Sequence, residues 1–300
     1  MAGEYTAKIR DYVNIMKSNG LITEDGELIT PNIKNLENIA MDFIKMEEQG
    51  KEKKLDILQM KEDQTEFQQY LLGCYGSFYF NFYKRFGTIE GQFLFRFIYL
   101  ATFMNYDNLL SNGVRLIKEE DLMEILLLGK TEFYKTKKYL IENDFISIQE
   151  NKTILVNDRY CKKGKINKTK SIEVVRMFNN AIQELYMKST PKEHKKLALL
   201  IDILPCINLK FNVICKNPTC EYEENIQPYT MPELCSKLGY DKTHASRLKK
   251  DLFKLKVNNE MVIGIFEKEN GKAIYVNPSV YYKGGKFEDI KNLQSMFKIK

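Results

Sequence analysis

Two stretches of this chain, Phe97–Gly164 and Ile201–Gly284, carry matching residues in the same order. Asn108 matches Asn212 at an offset of 104. Leu122 and Leu234, Lys130-Thr131 and Lys242-Thr243, Lys137-Lys138 and Lys249-Lys250, and Leu140 and Leu252 match at 112. Val156-Asn157 and Val276-Asn277, then Lys163-Gly164 and Lys283-Gly284, match at 120. Each change of offset adds eight residues to the second stretch, in polar segments where loops tolerate length changes. The period is far longer than that of a solenoid, so the pattern reads as two copies of one domain.

The second copy is the more legible. Thr190-Pro191-Lys192-Glu193 has the form of a capping box with proline at the first helical position, and opens a helix through Leu197–Leu204. His194, in its first turn, is expected to face solvent. Phe211–Cys215 reads as a short extended piece. Thr230-Met231-Pro232-Glu233 opens a second helix that Gly239 stops, and Asp241 caps a third, from Lys242 to about Lys256. Ala245, Leu248, Leu252 and Leu255 fall on one face of that third helix. Val262–Glu267 and Lys272–Val276 read as strands, with Asn270-Gly271 as a two-residue hairpin turn. In the first copy Glu119–Leu126, Thr131–Glu142 and a hairpin over Phe145–Val156 around Asn151 fill the same places.

Helix, strand, helix, tight turn, helix, hairpin is the order of a winged helix-turn-helix. The expected fold class is therefore mainly α with small β-hairpin wings (α+β): two tandem winged helix-turn-helix domains after a helical N-terminal region. The expected divisions are 1–72, an acidic helical region for dimerisation or partner binding; 73–166, the first winged helix; 167–189, a basic linker and connecting helix; and 190–292, the second winged helix.

A helix that enters a major groove needs cations for phosphates and short polar side chains near its N-terminus for base edges. Lys242–Lys256 holds six Lys/Arg and one Asp. Lys242, Thr243, His244, Ser246, Arg247, Lys249 and Lys250 are the candidate DNA contacts there, with Arg247 suited to grip a guanine through two hydrogen bonds. Lys272 on the wing and Lys283 after it extend the set. In the first copy Lys130, Thr131, Tyr134, Lys135 and Lys138 are the candidates, with Glu132 standing where the second copy has His244. The first copy then binds DNA more weakly, reads other bases or dimerises. Lys162–Lys170, with five Lys and no acid, either tracks phosphates or is a solvated connector.

The N-terminal region is acidic on balance and the rest basic, with a net charge of +6 overall. Tyr5–Met16 and Asn35–Met46 have helical spacing, and Ser77–Phe86 holds six Phe/Tyr, read as core or interface packing rather than a base-stacking platform. The longest apolar run, Phe93–Met104, is too short to span a bilayer and is interrupted by Arg96. With no signal-peptide pattern at Met1–Tyr5, a cytoplasmic protein is expected. Six cysteines read as free thiols; Cys215 and Cys220 form one C-x4-C pair without the second short pair of a closed zinc site, so no metal and no cofactor are expected. A P-loop is missing and the two histidines, His194 and His244, are far apart in sequence, so no enzyme is expected.

The ending Tyr275-Val276-Asn277-Pro278, then Tyr281-Tyr282-Lys283-Gly284-Gly285, and the turn Leu238-Gly239-Tyr240-Asp241-Lys242-Thr243 resemble plasmid and phage replication initiator (Rep) proteins of Firmicutes. The resemblance covers about residues 90–290, and Asp158 replaces the proline in the first copy. It implies an initiator that binds repeated origin sites in double-stranded DNA and melts them or recruits the host replicative helicase or its loader, with homodimerisation as a further expectation. Two other readings stay open: a winged-helix transcriptional or plasmid-maintenance regulator, and a scaffold whose winged helices bind protein instead of DNA.

Overall fold

The computed structural model describes residues 2–22, 40–42, 44–46, 48–50, 65–164, 166, 174–268, 271–285 and 287–298. Two compact units divide the chain, Met1–Glu66 and Phe67–Lys300. In the first, helix α1 covers Ala2–Ser18, and Asn19 and Gly20 end it, the glycine in the left-handed region at φ 71°. Residues 40–42, 44–46 and 48–50 are also helical; the start of the helix expected at Asn35 lies outside the described residues.

The second unit is a mixed α and β structure with small antiparallel sheets. A helix whose described residues are 65–75 (α2) leads to strand β1 (Phe78–Asn81), then α3 (Gly91–Ala101), α4 (Leu122–Ile125) and α5 (Lys130–Glu142). Strands β2 (Ile146–Ile148), β3 (Ile154–Val156) and β4 (Cys161–Lys162) follow, then β5 (Val175–Phe178) and α6 (Asn179–Met187). Next come α7 (His194–Leu197), α8 (Leu199–Asp202), α9 (Met231–Lys237) and α10 (Ala245–Phe253). The chain closes with β6 (Lys256–Val257), β7 (Glu260–Met261), β8 (Ile263–Lys268), β9 (Gly271–Val276), β10 (Tyr281–Tyr282) and α11 (Phe287–Lys298).

One antiparallel sheet, in the order β10-β5-β1-β4, joins strands from distant parts of the sequence. β1 and β5 pair along their whole length, Phe78 opposite Phe178 through Asn81 opposite Val175, and each carries one short strand on its outer edge. Tyr79, Phe80, Phe82 and Tyr83 are buried here. The aromatic run at 77–86 therefore fills core, as its continuous apolar character requires for a strand covered on both faces.

On either side of this sheet the same hydrogen bonds recur. Asn108 and Asn212 are both buried and both left-handed, at φ 59° and 52°, a conformation asparagine tolerates better than other non-glycine residues. The Asn108 amide donates to Val156 and Cys161 carbonyls at 3.3 and 2.9 Å, and that of Asn212 to Val276 and Tyr281 at 3.0 Å each. Asn105 Oδ1 accepts from the Asp107 and Leu109 amides, and Asn208 Oδ1 from those of Lys210 and Phe211. Phe82 N–H donates to Tyr160 as Phe178 N–H does to Val280.

Three local expectations need correction. The helix through Leu197–Leu204 is two short helices, α7 and α8, followed by a 3-10 turn at Leu204–Cys206 containing Pro205. Within its cap, Glu193 accepts from the backbone and hydroxyl of Thr190. The third helix stops at Phe253, because the chain turns into the β6–β7 hairpin through Asn258 and Asn259, left-handed at φ 50° and 66°; the Glu184 carboxylate accepts the Asn258 amide. Finally, Gly271 belongs to strand β9, paired with Lys268, whereas Asn270 lies outside the described residues.

Candidate nucleic-acid interface

Each step from α9 through the turn to α10 has a local cause. Thr230 and Glu233 form a reciprocal capping box at the start of α9, Thr230 Oγ1 accepting the Glu233 amide and the carboxylate accepting the Thr230 amide. Gly239, at φ 77°, supplies the left-handed residue that ends the helix. Asp241 then accepts the Thr243 amide at 2.8 Å and caps a 3-10 turn, Lys242–His244, which runs into α10. Leu248 and Leu252 are buried beneath α10, with Ala245 and Phe253 half-buried beside them.

That packing leaves Lys242, Thr243, His244, Ser246, Arg247, Lys249 and Lys250 exposed. The only acid among residues 242–256, Asp251, is held by Lys196 at 2.9 Å. Among the described residues none of Lys242, Arg247, Lys249 and Lys250 has an ion-pair partner. Thr243 already donates its hydroxyl to Asp241 at 2.7 Å, so its hydroxyl oxygen is left as an acceptor. Lys272 is exposed on the hairpin opposite Glu267, which offsets part of its charge. Lys283 leaves the candidate surface: it is half-buried, and its ammonium donates to the Leu204 carbonyl at 2.6 Å and to the Tyr83 hydroxyl at 2.9 Å, so it is a tether inside the fold.

The first copy presents the same elements with different electrostatics. Lys130, Thr131, Tyr134, Lys135 and Lys138 are exposed on α5. Lys135 lies 3.8 Å from Glu132, Lys138 lies 3.8 Å from Glu142, and Lys137 lies 2.8 Å from Glu119. Three of the cations are thus matched by the chain's own acids. Leu127, at the position of Gly239 in the 112 offset, holds the same left-handed conformation at φ 50° and is exposed, together with Met123 and Tyr134.

A buried cluster ties the first copy to the start of the second. Arg96, 1% exposed, donates to Thr136 at 2.7 Å, to Glu132 at 3.1 Å and from Nε to His194 Nδ1 at 3.2 Å. His194 is stacked on Tyr186, which stacks in turn on Tyr99. The expectation that His194 faces solvent is therefore overturned: it is 2% exposed because its ring completes an aromatic stack and accepts the Arg96 Nε–H. Burial, then the neighbouring Arg96 charge, lowers its pKa to about 4. Between about pH 6.5 and 4 the unfolded chain takes up a proton that folded His194 refuses. Stability at this site is thus full above pH 6.5 and falls as the pH drops through that window, by about 2–3 kcal/mol. Urea unfolding followed from pH 7 to 4.5 should show this loss in the parent and a smaller one in His194→Gln. Arg96 interrupts an apolar run, and that interruption was the sequence signal for the cluster; its partners were not legible.

Cys161, Cys206, Cys215 and Cys235 are buried, and burial pushes the Cys215 thiol up to about 11. No group of three His, Cys, Asp or Glu suited to a metal ion occurs among the described residues. No helix among them is long and apolar enough to cross a membrane. Lys165, Lys168 and Lys170 of the basic segment lie outside the described residues. Comparison with protein families, with characterised proteins and with solved structures finds no match.

Proposed function

We propose that this chain is a sequence-specific double-stranded DNA-binding protein with two winged helix-turn-helix copies, the second being the principal reader. The observation that carries the reading is the outer face of α10 and its leading turn. Four cations with no ion-pair partner among the described residues, interleaved with Ser246 and His244, lie on and after a capped tight turn and precede a hairpin. Phosphates would supply the missing counter-charges and Arg247 the bidentate base contact. With the resemblance of the 238–243 turn and the 275–285 ending to Rep proteins, the biological role we favour is initiation of plasmid or phage replication at repeated origin sites.

One observation favours the regulator as second reading. The first copy pairs Lys135, Lys137 and Lys138 with its own acids and exposes Met123, Leu127 and Tyr134, a surface better suited to protein than to phosphate. The deciding experiment is a gel shift and footprint on DNA surrounding the chain's own gene. A protected array of direct repeats that supports replication of a reporter plasmid is the expected result. A single promoter palindrome without origin activity would transfer the reading to a regulator, and no retention at low salt would remove DNA binding altogether.

A further inference from the structure

The two wings differ in what covers them. On the second, α11 lies against the hairpin with Ile290, Leu293 and Phe297 buried. Phe297 packs edge-on against Phe266 at 5.1 Å, and reaches Gly264 so closely that a Cβ there would stand 3.2 Å from its ring. Phe287 meets Phe67 at 5.4 Å, and Asp289 lies 3.8 Å from Lys210.

The matching hydrogen bonds identify the same seat on the first wing. Asp107 follows Asn105 by two residues as Lys210 follows Asn208, and each amide donates to the asparagine Oδ1 at 2.9 Å, so Asp107 stands in the same turn as Lys210. Ser147 takes the place of Gly264, being paired with Leu155 as Gly264 is with Tyr275. Here no helix of the described residues fills the seat. Asp107 and Ser147 line an open groove of about 550 Å³ together with the apolar Ile146 and Leu155, two more acids, Asp144 and Asp158, and one cation, Lys162. None of Asp107, Asp144 and Asp158 has an ion-pair partner among the described residues.

We propose that this groove docks an amphipathic helix of a partner protein, one with apolar residues spaced as Phe287, Ile290, Leu293 and Phe297 are but with Lys or Arg in its first turn. Ile146 and Leu155 ask for the apolar face, and three carboxylates against the single Lys162 ask for the cations. The α11 of a second copy fits poorly, because Glu288 and Asp289 in its first turn would meet Asp107, Asp144 and Asp158. The docking reading is independent of DNA binding.

The probe is a fluorescent dodecapeptide with the sequence of Phe287–Lys298 carrying Glu288→Lys and Asp289→Lys, titrated with the full chain and followed by anisotropy. It should bind saturably and at least about fivefold more tightly than the unaltered dodecapeptide. A chain with the exposed Asp107→Lys should narrow or reverse that preference. Ser147→Trp, which fills the groove, should weaken binding by about tenfold or more with an unchanged thermal unfolding midpoint. Equal binding by the Ser147→Trp chain, or no saturation with either peptide, overturns the proposal. So does a concentration-dependent dimer of the parent chain that Asp107→Lys dissociates, which would assign the groove to a second copy.

Discussion

A chain carrying Lys242→Ala, Lys249→Ala and Lys250→Ala should bind duplex DNA on the order of 100-fold more weakly near 0.1 M salt, with the slope of log affinity against log salt shallower by about 2.7. These side chains are exposed and make no ion pair with described residues, so their removal should leave folding untouched. The corresponding triple change in the first copy, Lys130→Ala, Lys135→Ala and Lys138→Ala, should move affinity and slope less, since Lys138 is paired with Glu142 and Lys135 shares Glu132 with Arg96. Salt titrations of the three proteins on one duplex decide the matter. Equal losses from the two triples would mean that both helices engage phosphates alike, and the ranking of the copies would be withdrawn. Within the second copy, Arg247→Ala should differ in kind: it should relax sequence choice at one base position, by about 1–3 kcal/mol of discrimination, more than it lowers affinity for random duplex.

Replacing Arg96 by Met should destabilise the second unit by about 3 kcal/mol in urea unfolding at pH 7. Met keeps much of the volume but removes the donors that reach Thr136, Glu132 and His194, leaving His194 Nδ1 buried without a donor. Glu132→Gln is the informative control. The Glu132 side chain is 45% exposed and its amide oxygen can still accept from Arg96, so the cost should stay below about 1 kcal/mol. Comparable losses in the two variants would show that the charge pair, and not the buried donor set, stabilises the junction. Because Glu132 belongs to α5 and His194 to α7, Arg96→Met should also loosen the junction, detected as faster amide exchange at both helix starts.

The sequence alone determined the features that depend on near neighbours. The capping box at Thr230, the stop at Gly239 and the cap at Asp241 are satisfied within a few residues, so composition and spacing reveal them. The matched asparagines, 108 with 212 and 157 with 277, marked positions whose side chains bond the backbone in the same way in each half. The buried face of α10 followed from periodicity, and with it the exposed face. Tertiary structure decided what hydrophobic period and charge sums do not encode. Which cations are neutralised depends on acids brought from elsewhere, as Glu119 is to Lys137 and Asp251 to Lys196. Lys283 and His194 looked like surface residues because a polar side chain in a helix turn or strand ending usually is one. They are interior because carbonyls and rings from distant segments converge on them. The pairing of β1 with β5 and the seating of α11 against the β8–β9 hairpin are likewise long-range: they depend on surfaces that exist only once both halves have folded.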